Sequence, residues 1–148
     1  MTSLAQLTTL RVGGTPSVLT IAATEAEIID AVSATDDSGR EVLILGGGSN
    51  VVVADDFRGE VIKIASTGYE NDSTVCAGAW VTVQAGHNWD DFVADCVANG
   101  WLGVEGLSGI PGTVGATPIQ NVGAYGQQVS ETIAVSYTHL TLPTILLV

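Results

Sequence analysis

Two glycine-rich segments carry the residues whose types and spacing most clearly suggest chemistry. The first is Gly46–Asn50, "GGGSN", which directly follows the apolar run Glu41–Leu45, "EVLIL". Glycines let a ligand approach the backbone closely, and successive N–H groups beside short polar side chains can form a nest for a pyrophosphate. The segment lacks both the Gly-Lys-Ser/Thr of a P-loop and the last glycine of the Rossmann motif. Taken alone, a tight hairpin turn explains it equally well.

The second segment spans residues 110–126, "IPGTVGATPIQNVGAYG", and belongs to an uncharged run from Gly106 to Ser130. Pro111 suits the start of a short helical turn. The small residues Gly112, Gly115 and Ala116 leave the backbone bare. The side-chain amides of Gln120 and Asn121 suit the polar edge of a heterocycle, and Ile110 and Ile119 suit its apolar face. We therefore expect both glycine segments to contact one large planar cofactor with a pyrophosphate tail.

The other candidate side chains favour structural roles. His87, in "AGHNW", precedes a helix N-cap, which indicates a loop histidine. Cys76 and Cys96 lie in no Cys-x-x-Cys motif and form no ligand spacing with His87 or His139, so we expect two reduced core thiols and no metal.

The elements that position the first segment are predicted from local signals. Thr24 and Glu27 form a capping box, so a helix is expected over 24–32, broken at Gly39 and Arg40. "EVLIL" reads as a buried strand, and "VVVA" (Val51–Ala54) and "VIKI" (Val61–Ile64) read as short strands around a turn at Asp55–Gly59. This pattern indicates a βαβ-like lobe over residues 1–65.

A second lobe is expected from residue 66 onward. "STVCAGA" and "VTVQAG" suggest two strands, and Asn88 is a suitable N-cap for a helix through Ala98 that ends at Asn99-Gly100. Its predicted apolar face follows helical spacing and comprises Trp89, Phe92, Val93, Cys96 and Val97. We assign residues 66–135 to an α+β lobe.

Composition excludes several classes of function. The chain has 148 residues and a formal net charge of −12, with only four Lys and Arg residues. Nucleic acid is a poor candidate partner, because phosphate-backbone binding needs clustered cations. No apolar run reaches the length of a membrane span, and no basic segment precedes an apolar stretch near Met1, so a cytoplasmic protein is expected. The sequence leaves the oligomeric state open.

Several segments resemble the UDP-N-acetylenolpyruvoylglucosamine reductase family. They are "TTLRVGG", "LILGGGSN" and "GLSGIPGTVGATPIQNVGAYG", and the resemblance runs from about Thr8 to Val135. It implies an α+β, two-lobed FAD-binding domain of the PCMH / vanillyl-alcohol-oxidase type, with an incomplete second lobe. It also implies noncovalent FAD, NADPH as hydride donor and UDP-N-acetylglucosamine enolpyruvate as substrate. Such an oxidoreductase serves peptidoglycan synthesis, hence cell wall biogenesis, cell shape, the cell cycle and cell division.

The resemblance also assigns site residues. It places Gly46, Gly47, Gly48, Ser49 and Asn50 at the FAD pyrophosphate. It places a second set along the flavin and its nucleotide tail, namely Ile110, Pro111, Gly112, Gly115, Ala116, Ile119, Gln120, Asn121 and Gly123. Tyr125 matches a tyrosine near the sugar-nucleotide substrate, and Arg11, within "TTLRVGG", is interpreted as structural.

The chain departs from the family after "NVGAYG". The family's catalytic arginine, serine or cysteine acid, and late glutamate have no match here, so no catalytic residue is assigned and the chain alone is expected to be inactive. The segment 136–148, "SYTHLTLPTILLV", is interpreted as a non-native tail on a truncated gene. Two alternatives stay open: a fragment of another FAD-dependent oxidase or dehydrogenase of the superfamily, or a noncatalytic binding module.

Overall fold

The computed structural model describes residues 2–74, 78–136 and 146–147 of the chain. They form two compact units, Met1–Ser66 and Thr67–Val148, and each unit is organised around strands of its own. The first unit has a parallel sheet with a helix, and the second has antiparallel sheets, a helix and several 3₁₀ turns. This mixture confirms the expected α+β class.

The first unit is a three-stranded parallel sheet. β1 (Pro16–Ala22) and β2 (Val42–Leu45) both pair with β3 (Phe57–Ile64), which gives the order β1-β3-β2. α1 (Glu25–Ser38) connects β1 to β2 and packs against β1 and β3. Because the strands are parallel, their carboxyl ends lie at the same edge of the sheet, and the Gly46–Asn50 segment begins at that edge.

α1 begins and ends as its local sequence predicts. The Thr24 hydroxyl accepts a hydrogen bond from the Glu27 amide (3.3 Å), and the Glu27 carboxylate accepts one from the Thr24 amide (3.1 Å). These two bonds complete the predicted capping box. Gly39, with φ of 63°, ends the helix in the left-handed conformation. The helix continues to Ser38, beyond the predicted end at Val32.

A buried carboxylate ties α1 to the sheet. Glu60 on β3 is 4% exposed and accepts hydrogen bonds from Thr20 Oγ1 (2.8 Å) and Thr35 Oγ1 (3.1 Å). Arg40 Nη2 forms an ion pair with the same carboxylate at 3.1 Å. These donors offset the loss of hydration that burial imposes on the charge.

The first unit corrects the prediction in three places. β1 has no counterpart in the prediction, because it is defined by pairing with the distant β3 rather than by a local pattern. The predicted strand Val51–Ala54 is wrong: the segment is irregular, and Val51 and Val53 pack against the core of the unit instead. The predicted turn at Asp55–Gly59 is wrong in its second half, because β3 begins at Phe57.

The second unit contains an antiparallel sheet and a small hairpin. The sheet has the order β4-β5-β9-β8, and the hairpin pairs β6 with β7. The strands are β4 (Tyr69–Thr74), β5 (Gly78–Val83), β6 (Gly123–Ala124), β7 (Gln127–Gln128), β8 (Val135–Ser136) and β9 (Leu146–Leu147). The predicted strands "STVCAGA" and "VTVQAG" are shifted along the chain relative to β4 and β5, and residues 75–77 lie outside the described residues.

α2 (Trp89–Asn99) matches its prediction closely. Asn88 Oδ1 accepts a hydrogen bond from the Asp91 amide (3.1 Å), and Gly100 ends the helix with φ of 73°. Four of the five predicted apolar positions are buried, but Val97 is 59% exposed, so its assignment to the buried face is wrong. Trp89 is fully buried, and its indole N–H donates to the Leu107 carbonyl (3.0 Å).

The Cys96 thiol is free and buried in the core of the second unit. Burial, together with the nearby charges of Asp95 and Glu105, raises the pKa of Cys96 to about 12. The thiol therefore stays protonated at neutral pH, as expected for a core residue. Cys76 lies outside the described residues. Within the described ranges, no helix combines the length and apolar character that a membrane crossing requires.

Candidate functional site

The first glycine segment lies directly beyond the last residue of β2. In the sheet register, Leu45 on β2 and Ile21 on β1 both align with Lys63 on the central strand β3. Lys63 Nζ donates a hydrogen bond to the Gly46 carbonyl oxygen. In open sheets of parallel strands, ligands bind outside the carboxyl ends of the strands, which is where this segment lies.

The glycines of this segment have different surroundings. Gly48 is buried with φ of 70°, and a Cβ there would overlap the Leu7 carbonyl oxygen, so its glycine is required by packing within the protein. Its own carbonyl accepts a hydrogen bond from the Thr9 amide (3.0 Å). Gly47 is exposed and lines a cleft. Of this pair, only Gly47 presents its backbone to an open site.

The cleft beside Gly47 has a volume of about 720 Å³ and is lined by two positively charged side chains. Arg11 and Lys63 line it, together with Ala5, Gln6, Leu7, Thr8, Thr9 and Gly47. No acidic residue is among these lining residues, although the chain carries sixteen acids. The arrangement therefore suits an anion, and the interpretation of Arg11 as purely structural leaves out its position at the cleft.

A neighbouring cleft of the same unit, with a volume of about 830 Å³, has a mixed electrostatic character. Arg11 and Arg58 line it, but so do Asp55 and Asp56. The Asp56 carboxylate also accepts a hydrogen bond from the Thr15 amide (2.6 Å). The two acids oppose anion binding there.

The second glycine segment is held against the loop that leads into α2. The Gly112 carbonyl accepts from the Trp89 amide (3.1 Å), and the Gly115 amide donates to the Ala85 carbonyl (2.8 Å). A Cβ on Gly115 would lie 2.6 Å from the Ala85 Cβ, so this glycine permits close packing of two backbones. The amides of Val114 and Ala116 likewise donate within the unit, to His87 and Thr113. The amides of residues 114–116 thus all donate hydrogen bonds within the unit.

Residues 114–120 form a 3₁₀ helix that starts later than the turn predicted at Pro111. Ile119 near its end is 85% exposed, whereas Ile110 is only partly exposed and packs on the core of the unit. Asn121 follows in the left-handed region with φ of 47°. Its side chain donates to Gln128 Oε1 (2.8 Å) and accepts from the Ser130 amide (3.0 Å). The side-chain amide of Asn121 is thus already hydrogen-bonded to the β6–β7 hairpin and to the residue that follows β7 by two positions.

Tyr125 occupies the tip of this hairpin. Gly123 and Ala124 pair with Gln128 and Gln127, so the connecting loop is the dipeptide Tyr125-Gly126. Both loop residues have positive φ, 52° and 84°, as in a type I′ turn. A tyrosine is an uncommon residue at such a position, and its side chain is 95% exposed. The exposed ring is available to a ligand, as its predicted substrate role requires.

His87 is more constrained than a loop histidine usually is. Its Nδ1 accepts a hydrogen bond from the Gly68 amide (3.1 Å). Its Nε2 is buried and has no hydrogen-bond partner in the part of the chain that the structure describes. Tyr69 and Phe92 meet the ring edge-on, with centroids 6.0 and 6.4 Å away. No group of three or more metal-ligating side chains occurs among the described residues.

A glycine segment at the carboxyl edge of a parallel sheet, beside a cleft lined by two cationic and no acidic side chains, is an arrangement that suits a phosphate-bearing ligand. A sequence model of one family, described as an FAD binding domain, matches residues 16–144. The chain belongs to this FAD binding domain family. The match includes the predicted tail as far as residue 144.

The similar proteins are reductases. The chain is 53% identical over 132 residues to the UDP-N-acetylenolpyruvoylglucosamine reductase of Cutibacterium acnes, covering 88% of this chain and 35% of that protein. It is 50% identical over 145 residues to the reductase of the same name from Streptomyces avermitilis, covering 96% of this chain and 38% of that protein. The chain thus spans little more than a third of the length of these relatives.

A solved structure agrees with this similarity. The crystal structure of UDP-N-acetylenolpyruvylglucosamine reductase from Thermus caldophilus matches with a TM-score of 0.67 and 26% sequence identity. The match covers 89% of this chain and 45% of that one. These comparisons confirm the resemblance to the reductases and the type of fold expected from the sequence.

Proposed function

We propose that the chain is the FAD-binding portion of a UDP-N-acetylenolpyruvoylglucosamine reductase, with residues 1–65 and 66–135 as its two lobes. The observation that carries the proposal is the acid-free cleft where Gly47 is exposed beside Lys63 and Arg11. In a chain of net charge −12, such a cleft favours an anionic group such as a pyrophosphate.

The two glycine segments have distinct roles in this proposal. The segment Gly46–Asn50 holds the pyrophosphate through its backbone. The second segment contacts the ring system mainly through exposed side chains, because several of its amides are already bonded within the unit. Ile119 supplies apolar contact, and Tyr125 on the hairpin tip contacts the sugar-nucleotide substrate.

The whole protein would be a cytoplasmic oxidoreductase of peptidoglycan synthesis, and its activity would contribute to cell shape and division. FAD, when bound, supplies hydride transfer from NADPH to the enolpyruvyl double bond of UDP-N-acetylglucosamine enolpyruvate. The residues of this chain bind and orient the cofactor. We assign none of them as the acid or base of the reaction. We therefore expect it to bind FAD without turning over substrate.

Two measurements test the proposal. The purified chain should carry, or take up on titration, one FAD with the visible absorbance of a protein-bound flavin. The full-length reductase should oxidise NADPH only when the enolpyruvyl substrate is present. A full-length protein that binds FAD but acts on a small alcohol or sugar would instead indicate another flavin enzyme of the superfamily.

A further inference from the structure

We propose that the side chains of Arg11 and Lys63 form, with Gly47, a cationic cleft that binds the diphosphate group of the dinucleotide. The inference rests on the proposed function and extends it, because it adds two charged side chains to a site otherwise built from backbone. It concerns the first unit alone, since all the lining residues lie within Met1–Ser66.

The distribution of charge singles out these two cations. The four Lys and Arg residues of the chain are Arg11, Arg40, Arg58 and Lys63, so all of them belong to the first unit. Arg40 forms an ion pair with Glu60. Arg58 and Arg11 both line the cleft that also contains two aspartates, but Arg11 lines the cleft at Gly47 as well. The cleft at Gly47 is the site where cations converge without an acidic neighbour among the lining residues.

Lys63 is positioned for this role by the sheet. It is half-buried near the carboxyl end of the central strand, and its ammonium group reaches the first carbonyl of the glycine segment. Burial lowers the pKa of Lys63, because the half-buried ammonium group is incompletely hydrated. An ammonium group has three donors, and the bond to Gly46 uses one of them. Within the part of the chain that the structure describes, its other donors and its net charge can serve an anion beside the loop.

Arg11 is positioned by a turn that is bonded to the same loop. Its φ of 54° is uncommon for a residue other than glycine, and such conformations cluster at functional sites. The Arg11 amide donates to the Thr8 carbonyl (3.1 Å), and the Thr8 hydroxyl donates to the Val12 carbonyl (3.0 Å). The Thr9 amide in turn donates to Gly48. The turn that presents the guanidinium is therefore fixed relative to the glycine segment.

The test compares neutral variants in the complete chain. Lys63→Met and Arg11→Gln should each weaken FAD binding about tenfold or more, because each removes a charge-assisted hydrogen bond. Arg58→Gln serves as the matched control, since it removes the same charge from the mixed cleft. Lys63→Arg keeps the charge and should retain most of the affinity. Flavin fluorescence gives the dissociation constants, and circular dichroism verifies that each variant is folded.

Two probes separate this inference from the proposed function. Riboflavin lacks phosphate, so any binding of riboflavin should be unaffected by Lys63→Met. Inorganic pyrophosphate should raise the melting temperature of the wild-type chain and not that of Lys63→Met. If wild type binds FAD while Lys63→Met and Arg11→Gln bind it equally well, the cleft inference is overturned and the proposed function stands. If wild type binds pyrophosphate through Lys63 but not FAD, the cleft stands and the proposed function falls; if it binds neither, both fall.

Discussion

Lys63 on the central strand and Gly46, directly after the neighbouring strand β2, are joined by a hydrogen bond from the ammonium group to the backbone carbonyl. The bond links the only lysine of the chain to the first residue of the glycine segment. It places a positive charge beside the backbone segment that we propose binds a pyrophosphate. The first unit thus combines a glycine segment and a cation at one edge of one sheet.

The exposed glycine of this loop is the most sensitive position for ligand binding. Gly47→Asp adds bulk and a negative charge where we place a pyrophosphate, so FAD binding should become undetectable in a fluorescence titration. Ser17→Asp, which adds the same charge at an exposed position on β1, is the control and should bind FAD normally. Equal affinity of Gly47→Asp and wild type would mean that the loop is not the phosphate site.

The buried glycine of the same loop should affect stability instead. Gly48 and Gly39 both have left-handed φ, 70° and 63°, but an added Cβ would collide with the Leu7 backbone only at Gly48. Gly39→Ala should therefore cost about 1 kcal/mol, the price of the backbone conformation alone. Gly48→Ala should cost at least a further ~1–3 kcal/mol from overpacking. Urea unfolding measures both, and similar losses would contradict the packing explanation.

Close packing between Gly115 and Ala85 should be essential to the second unit. Gly115→Ala introduces a methyl group 2.6 Å from the Ala85 Cβ and should destabilise the chain by ~1–3 kcal/mol. Adding Ala85→Gly removes the closest of these contacts and should restore part of the loss. Strictly additive effects in this double-mutant cycle would indicate that the two residues do not interact.

Tyr125 at the hairpin tip tests whether a residue that is unfavourable for the turn serves substrate binding. Asn-Gly is the preferred dipeptide of a type I′ turn, so Tyr125→Asn should raise the free energy of unfolding, by roughly 0.5–1 kcal/mol. The same change in the full-length reductase should raise KM for the sugar-nucleotide substrate. Lower stability in Tyr125→Asn would show that the ring makes contacts that stabilise the fold.

The buried thiol predicts a specific dependence of stability on pH. The pKa of Cys96 is raised from 9.0 to about 12, so above pH 9 the unfolded chain loses a proton that the folded chain retains. Folding is therefore disfavoured by this group increasingly as pH rises from about 9 to about 12. Cys96→Ala lacks this ionisable thiol. The free energy of unfolding of wild type, relative to that of the variant, should therefore fall between about pH 9 and about pH 12. A difference that stays constant with pH would contradict burial of the thiol.

The sequence predicted those parts of the structure that depend on neighbouring residues. Both helices are specified by their caps, Thr24 with Glu27 and Asn88 with Asp91, which lie within one turn of chain. β1 and the irregular Val51–Ala54 segment were not predictable in this way, because pairing with β3 and packing on a distant core determine them.

The candidate site shows the same division. Glycine and small polar residues after a strand suggest a phosphate loop, but from this motif alone a tight hairpin turn is an equally good explanation. The contribution of Lys63 depends on the register between β2 and β3, and that of Arg11 depends on a turn held by the Gly48 loop. A signal was nevertheless present: every cation of this acidic chain lies in its first 63 residues. The internal bonding of Asn121 gave no such signal, because it depends on the hairpin that follows.

The central claim is that the Gly46–Asn50 segment, beside Lys63 and Arg11, binds the diphosphate group of FAD. Hydrogen–deuterium exchange with mass spectrometry, with and without saturating FAD, measures this directly for the intact chain. We predict slower exchange in peptides that contain Gly46–Asn50, with little change in α1. Unchanged exchange of those peptides in the presence of bound FAD would contradict the account.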